Sequence, residues 1–194
     1  MEKFFAHIDD PAPGFRCYRP DSSSDQEFEQ DIRLEHRLGT PASSEMLARL
    51  LARLGNGSEE FESLYSRHNG MVLYVCGDDA GIHFSSIEGL DEFNSEWRIW
   101  FEDMEEDELW EFQKHGVAFA EICASGNYFV WWEGKVYYSN HDGGDDDPFG
   151  DSLSEFLDRI AANPAQFLYD AGCYTCYTPA QWTPGEYVAD MQAP

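Results

Sequence analysis

Between residues 117 and 138 the chain passes through three short runs of β-branched and aromatic residues, 117–123, 128–132 and 136–138. Ser125-Gly126-Asn127 parts the first two and Glu133-Gly134 the last two, and each is a tight-turn signal. Strands linked this closely pair antiparallel, because a parallel crossover needs about a dozen residues or more. The centre of the chain therefore predicts an antiparallel meander, whose apolar surface must be covered by other elements.

The flanking segments supply helices for that cover. Thr40-Pro41 predicts a cap and a first-turn proline, after which Met46, Leu47, Leu50, Leu51 and Leu54 fall on one face. Gly55-Asn56-Gly57 stops this helix, and Ser58 restarts one with Glu59 and Glu60 at its positive end. Phe61, Leu64, Tyr65 and His68 keep helical spacing until Asn69-Gly70 offers a left-handed cap. The apolar run 71–76 reads as a buried strand, and 82–84 as a brief second one.

From 87 to 104, Leu90, Phe93, Trp97, Trp100, Phe101 and Met104 recur with helical period, predicting one long amphipathic helix with an aromatic face inward and acids outward. Ser152-x-x-Glu155 is a capping box opening a helix with Leu153, Phe156, Leu157 and Ile160 on its apolar face, and Asn163-Pro164 breaks it. Elements in runs rather than in alternation predict an α+β fold. With 194 residues, 42% hydrophobic and 15% aromatic, the chain fits one domain with a real core and excludes disordered and fibrous classes. The expected organisation is a partly irregular arm over 1–40, an α+β body over 41–171, and an irregular tail packed on it over 172–194. Within the arm, Asp10-Pro-Ala-Pro-Gly14 reads as a turn and Asp21-Ser-Ser-Ser-Asp25 as a loop.

Charge narrows the function. The net charge is −26, and residues 68–194 carry 25 acids against only Arg98, Lys114, Lys135 and Arg159. Eleven acids and one arginine lie in 88–111, and a second knot holds Asp142, Asp145, Asp146 and Asp147. Such a surface repels phosphate backbones and anionic lipid, so neither nucleic acid nor a membrane is expected as a partner. It serves solubility or adaptation to salt, or it meets a basic partner. No window has the apolar length of a membrane span, and the start lacks the apolar stretch of a signal peptide. Five cysteines in a chain of this length predict reduced thiols in a cytoplasmic protein.

Three landmarks carry a family resemblance. The first is Phe61-Glu-Ser-Leu64-Tyr65-Ser-Arg-His68-Asn69-Gly70 before an apolar strand. The second is the strand–turn–strand run from Phe119 through Ser125-Gly126 and Trp131-Trp132-Glu133-Gly134 to Val136-Tyr137. The third is Asn140-His141-Asp142, an acidic gap, and then Asp151-Ser152 opening a helix with Phe156-Leu157. In order and spacing these resemble the SUKH superfamily, which joins fungal cell-wall-synthesis regulators to many bacterial immunity proteins. The resemblance spans roughly 42–162 and departs in having Gly57-Ser58 where Leu-Pro is common and in the length and acidity of 88–111.

It implies a curved, antiparallel or mixed sheet with helices packed around it, and a protein-binding module rather than an enzyme. Many bacterial members are encoded beside secreted toxins, often nucleases, and neutralise them by binding. The partner so implied is a basic toxin domain, steered onto an acidic face. The expected contact residues are Glu102, Asp103, Glu105, Glu106, Asp107, Glu108, Asp142, Asp145, Asp146 and Asp147. Trp110, Trp131 and Trp132 are candidate aromatic anchors, with core or sheet-face packing as their other reading.

Other constellations lead less far. Cys173-Tyr-Thr-Cys176 lacks a second ligand pair for zinc and the strand–helix setting of a redox pair. On a calcium-loop template starting at Asp145, Phe149 and Phe156 fall where oxygen ligands belong. His68 at a helix end reads as a capping partner rather than a catalytic group. No nucleophile elbow, phosphate-binding loop or dinucleotide fingerprint is present, and no cofactor, metal or catalytic residue is expected. Two alternatives remain beside the immunity reading: an intracellular scaffold or regulator of the same fold, and a metal-dependent enzyme using the acidic loop.

Overall fold

The computed structural model describes residues 1–9, 35–75, 81–123, 125–143 and 146–162, and the backbone of 14–20, 27–33 and 176–179. Asp145, Cys76, Cys173, Asn163-Pro164 and the segments 10–13, 21–26, 172–175 and 180–194 lie outside the described residues. In chain order the elements are α1 (Glu2–Asp9), β1 (Gly14–Pro20), β2 (Glu27–Arg33), β3 (Glu35–Leu38), α2 (Ser44–Leu54), α3 (Glu59–Tyr65), β4 (Met71–Val75) and β5 (Ile82–Phe84). Then follow α4 (Leu90–Ile99), a single 3-10 turn (Glu106–Glu108), α5 (Glu111–His115), β6 (Val117–Ile122), β7 (Asn127–Trp132), β8 (Lys135–Ser139), β9 (Pro148–Gly150), α6 (Leu153–Ala162) and β10 (Cys176–Pro179).

Strands β3 to β9 form one seven-stranded sheet in chain order, every ladder antiparallel. The fold is α+β, as the runs of elements predict. The predicted meander is β6–β7–β8, and Trp132 pairs with Lys135 across the two-residue Glu133-Gly134 turn, where Glu133 takes the positive φ of +47° that such hairpins use. Strands β10, β1 and β2 make a separate three-stranded antiparallel sheet.

Alternation along β7 explains the layering. Phe129 and Trp131 point into a large core with Leu47, Leu50 and Leu54 of α2, Phe61, Leu64 and Tyr65 of α3, and Phe156, Leu157 and Ile160 of α6. Tyr128 and Val130 point the other way, into a smaller core with Phe93 and Trp97 of α4 and Phe112 of α5. Both faces of β7 are thus covered, which is why it reads as an unbroken apolar run. Phe61 anchors the large core, edge-on to Phe119 at 5.2 Å and to Trp131 at 5.0 Å, pairs worth about 0.5–1.5 kcal/mol each beyond their burial. Helix α1 adds buried Phe4, Phe5 and Ile8 to the same core and packs on α6, and β3 pairs with β4. Residues 1–9 and 35–38 are therefore built into the body. No described helix is long and apolar enough to cross a membrane.

Three local expectations are corrected. The N-cap of α2 is Ser43, whose Oγ accepts from the Met46 amide at 3.3 Å, so Thr40-Pro41 precede the helix. The box at α6 is shifted: Ser152 Oγ accepts from the Glu155 amide at 3.1 Å, while the Glu155 carboxylate accepts from the Asp151 amide at 2.9 Å. The third matters most for function. The helix expected over 87–104 spans only Leu90–Ile99, and the chain then turns. A continuation would set Glu102, Asp103, Glu105 and Glu106 at the negative end of a helix dipole and within one turn of each other, both unfavourable. Trp100, Phe101 and Met104 keep the helical spacing without the helix.

Candidate functional site

Helix α4 is fixed to the sheet by buried polar contacts. Asn94 donates to the carbonyls of Leu90 and Ala118 at 2.8 and 2.9 Å and accepts from the Ala118 amide at 2.9 Å. The indole N–H of Trp97 donates to Ser139 Oγ of β8 at 3.0 Å. Arg98, the one cation of 88–111, lies over the Trp97 ring and reaches the carbonyls of Gln113 and Gly116. Past these anchors the segment 100–110 crosses the surface until α5 seats Phe112 flat on Tyr137, with ring centroids 4.8 Å apart. Glu102, Asp103, Glu105, Glu106, Asp107 and Glu108 are all exposed on this crossing. The predicted outward acids are present, but on a turn and one 3-10 turn rather than a helix face.

The β8–β9 connection meets this crossing from the other side. Asn140 Oδ1 accepts from the Asp142 amide at 3.0 Å and tightens the turn. Asn127 Oδ1 accepts from the His141 amide at 3.2 Å and from His141 Nδ1 at 2.9 Å, so that ring nitrogen carries a proton. Nε2 of His141 then stands 3.2 Å from Asp142 Oδ1. The Trp100 ring rests 4.9 Å from His141 and closes on Gly126, where a Cβ would come within 2.8 Å of the indole and where φ is +76°. Gly126 is required there twice over.

Two adjacent clefts result. One, of about 280 Å³, runs between Phe101, Met104, Glu108 and Trp110 on one side and Tyr138 to Gly143 on the other. The second, of about 500 Å³, holds Asp107, Glu108 and Trp110 against Trp132, Tyr137 and Asp146. The two acidic stretches, some 35 residues apart in sequence, thus face each other across both clefts. Ile99, Trp100, Met104 and Trp110 are the exposed large hydrophobics of the described residues; Ile99 ends α4 and the other three lie on the crossing. Isolated exposed apolar residues are ordinary; here Met104 and Trp110 line the first cleft, and Trp100 rests against His141, which also lines it.

Electrostatically most carboxylates of this face lack a lysine or arginine partner. Lys114 is 2.9 Å from Glu111, Lys135 is 3.2 Å from Asp151, and Arg159 is 3.6 Å from Glu155. Among the described residues Glu102, Asp103, Glu105, Glu106, Asp107, Glu108 and Asp146 pair with no lysine or arginine. The hydrogen bond and charge of Lys114 hold the Glu111 carboxyl below its ordinary value, whereas burial, aided by the charges of Glu121 and Glu96, pushes Tyr128 up to about 12. Asp142 and Asp147 are exposed, and Asp145 is outside the described residues.

Of the three predicted anchors, Trp110 is 41% exposed and borders both clefts, and Trp132 is half-buried at the second. Trp131 is corrected to a core residue: it is 2% exposed and its indole N–H donates to the Leu54 carbonyl at 3.3 Å. Asn127, His141 and Tyr137 shape the clefts without having been singled out for them. Each had a signal of another kind: Asn127 in the Ser125-Gly126-Asn127 turn, Tyr137 at the end of the second landmark and His141 within the third. The Asn69-Gly70 landmark is architectural: Asn69 accepts from the Ile87 amide at 2.8 Å and donates to Glu88 at 2.7 Å, and Gly70 takes φ +82°, where a Cβ would also press on Ser86 at 3.0–3.2 Å. His68 Nδ1 meets the Gly39 carbonyl at 3.2 Å, a structural bond. Among the described residues no three of His, Cys, Asp and Glu are gathered as a metal ion requires. The profile of the SMI1 / KNR4 family (SUKH-1) matches residues 41–159. No curated protein matches the chain.

Proposed function

The chain belongs to the SMI1 / KNR4 family (SUKH-1), and from that membership we propose that it is a non-enzymatic binding protein of the immunity type. Its occupant is a basic toxin domain, a nuclease being the best chemical fit, sequestered in the cytoplasm by the face around Trp110. The observation that carries this reading is the meeting of both acidic stretches across clefts that share one exposed tryptophan. An apolar centre within a charged rim is how protein interfaces are built. The rim supplies rate and selectivity, since uncompensated carboxylates steer a cationic surface at distances up to the Debye length, about 8–10 Å at physiological salt. The centre supplies residence, since exposed aromatics that become buried dominate interface energetics. A nuclease presents the opposite pattern, a basic surface for phosphates, and carboxylates placed over it would imitate its substrate's charge.

The test is calorimetric titration with the toxin-like domain encoded beside this gene. The reading expects tight binding that weakens steeply between about 50 and 500 mM salt. Absence of such a neighbour, or an affinity indifferent to salt, contradicts it.

A further inference from the structure

We propose that Trp110 is a ridge between two sockets for cationic side chains, and that the bound partner seats one arginine on each side of it. The inference rests on the protein-binding reading and specifies what the bound surface must present. Both clefts share Glu108, Trp110 and Phe112. The first adds Asp142, and the second adds Asp107, Asp146 and the rings of Trp132 and Tyr137. Each socket therefore combines an aromatic wall with carboxylates from both acidic stretches.

That combination selects a cation twice, through charge and through the negative ring faces. An anionic group is repelled, and an apolar one would strip water from carboxylates without replacing it. Arginine suits the walls better than lysine, because its flat guanidinium stacks on rings and its forked donors bridge two carboxylate oxygens. The first cleft, at about 280 Å³, lies just under the range of roughly 300–1,000 Å³ usual for small-molecule pockets, which fits one long side chain. Two groups already present bear on the sockets. Lys114 borders the second, but its ammonium is held by Glu111 at 2.9 Å. His141 borders the first and shares Asp142 with any arriving guanidinium.

The experiment is a titration followed through the indole signals of Trp110 and Trp132 and the ring signals of His141. The probes are N-acetyl-arginine amide and its neutral isostere, N-acetyl-citrulline amide, at low salt. Saturating shifts are expected at all three residues, with a dissociation constant on the order of millimolar. The citrulline compound should bind at least about fivefold more weakly. Asp142→Asn should abolish the response at His141 and spare Trp132, Asp146→Asn should do the reverse, and Glu108→Gln should weaken both. These three carboxylates are exposed, so the variants keep the fold, which unchanged indole signals of buried Trp97 and Trp131 would verify. Equal shifts from citrulline, shifts that never saturate, or variants without effect would overturn the proposal. If N-acetyl-arginine amide fails while a toxin encoded beside this gene still binds with salt sensitivity, the sockets fall and the proposed function stands; the opposite pair of results removes the function and keeps the sockets.

Discussion

Trp131 and Trp132 are neighbours in the chain and sit on opposite faces of β7, because strand side chains alternate. Trp131 meets Phe61 in the large core, while Trp132 lies 5.6 Å from the Tyr137 ring beside the second cleft. Trp110 belongs to neither core. Stability and binding should therefore separate between them. Trp131→Ala is expected to cost about 3–5 kcal/mol of folding free energy in urea denaturation. Trp110→Ala should change stability by less than about 1 kcal/mol and weaken a bound basic partner by about 2 kcal/mol or more in calorimetry. Asn69 offers a third contrast: Asn69→Ala leaves the amide of buried Ile87 without its acceptor, and a loss of about 1–3 kcal/mol is expected. The parity of the paired tryptophans is readable from the sequence. Which of them faces a closed layer is not, since that depends on where α4 and α5 come to rest.

At the scale of elements, strands announced by turn residues were legible and the end of α4 was not. Gly126 and Glu133-Gly134 mark hairpins through local backbone chemistry, whereas Trp97, Trp100, Phe101 and Met104 hold helical spacing across a helix end. There like-charge repulsion outweighs the apolar period. Helix α1 and strand β3 were hidden for another reason: their short apolar runs gain cover from α6, β4 and Phe84 of β5, which are distant in sequence. Their junction makes a pH-dependent prediction. His36 Nδ1 accepts from the Tyr74 amide at 3.2 Å, His36 Nε2 is buried without a hydrogen-bond partner, and the His7 ring lies 6.0 Å away. Burial first, and then the charge of His7, lower the His36 pKa from 6.5 to about 4. The unfolded chain then binds a proton that the folded one refuses. The stabilising effect of the neutral ring is complete above about 6.5 and is lost as pH falls toward about 4. Urea denaturation of the native chain and of His36→Asn across that range should show their stability difference shrinking as pH falls. A difference independent of pH would contradict this picture of the junction.

At the scale of the whole molecule, the proposed function has the charge of −26 act on folding and on binding in opposite senses. Repulsion among unpaired carboxylates opposes the compact state, so added salt should raise the melting temperature while it weakens a basic partner. The acidity of 102–108 and of 142–147 was evident in the sequence, as were the α+β class and the family landmarks. Their convergence was not, because it arises from an α4–α5 layer pinned across β6 and β8 by Asn94 and Trp97. The most direct measurement is protection of cells from a toxin encoded beside this gene, as the proposed function requires, by a variant carrying Glu105→Lys, Glu108→Lys, Asp142→Lys and Asp146→Lys, judged against the native chain at equal expression and equal melting temperature. Loss of protection together with loss of salt-sensitive binding is the predicted result; full protection by the charge-reversed protein would contradict the account.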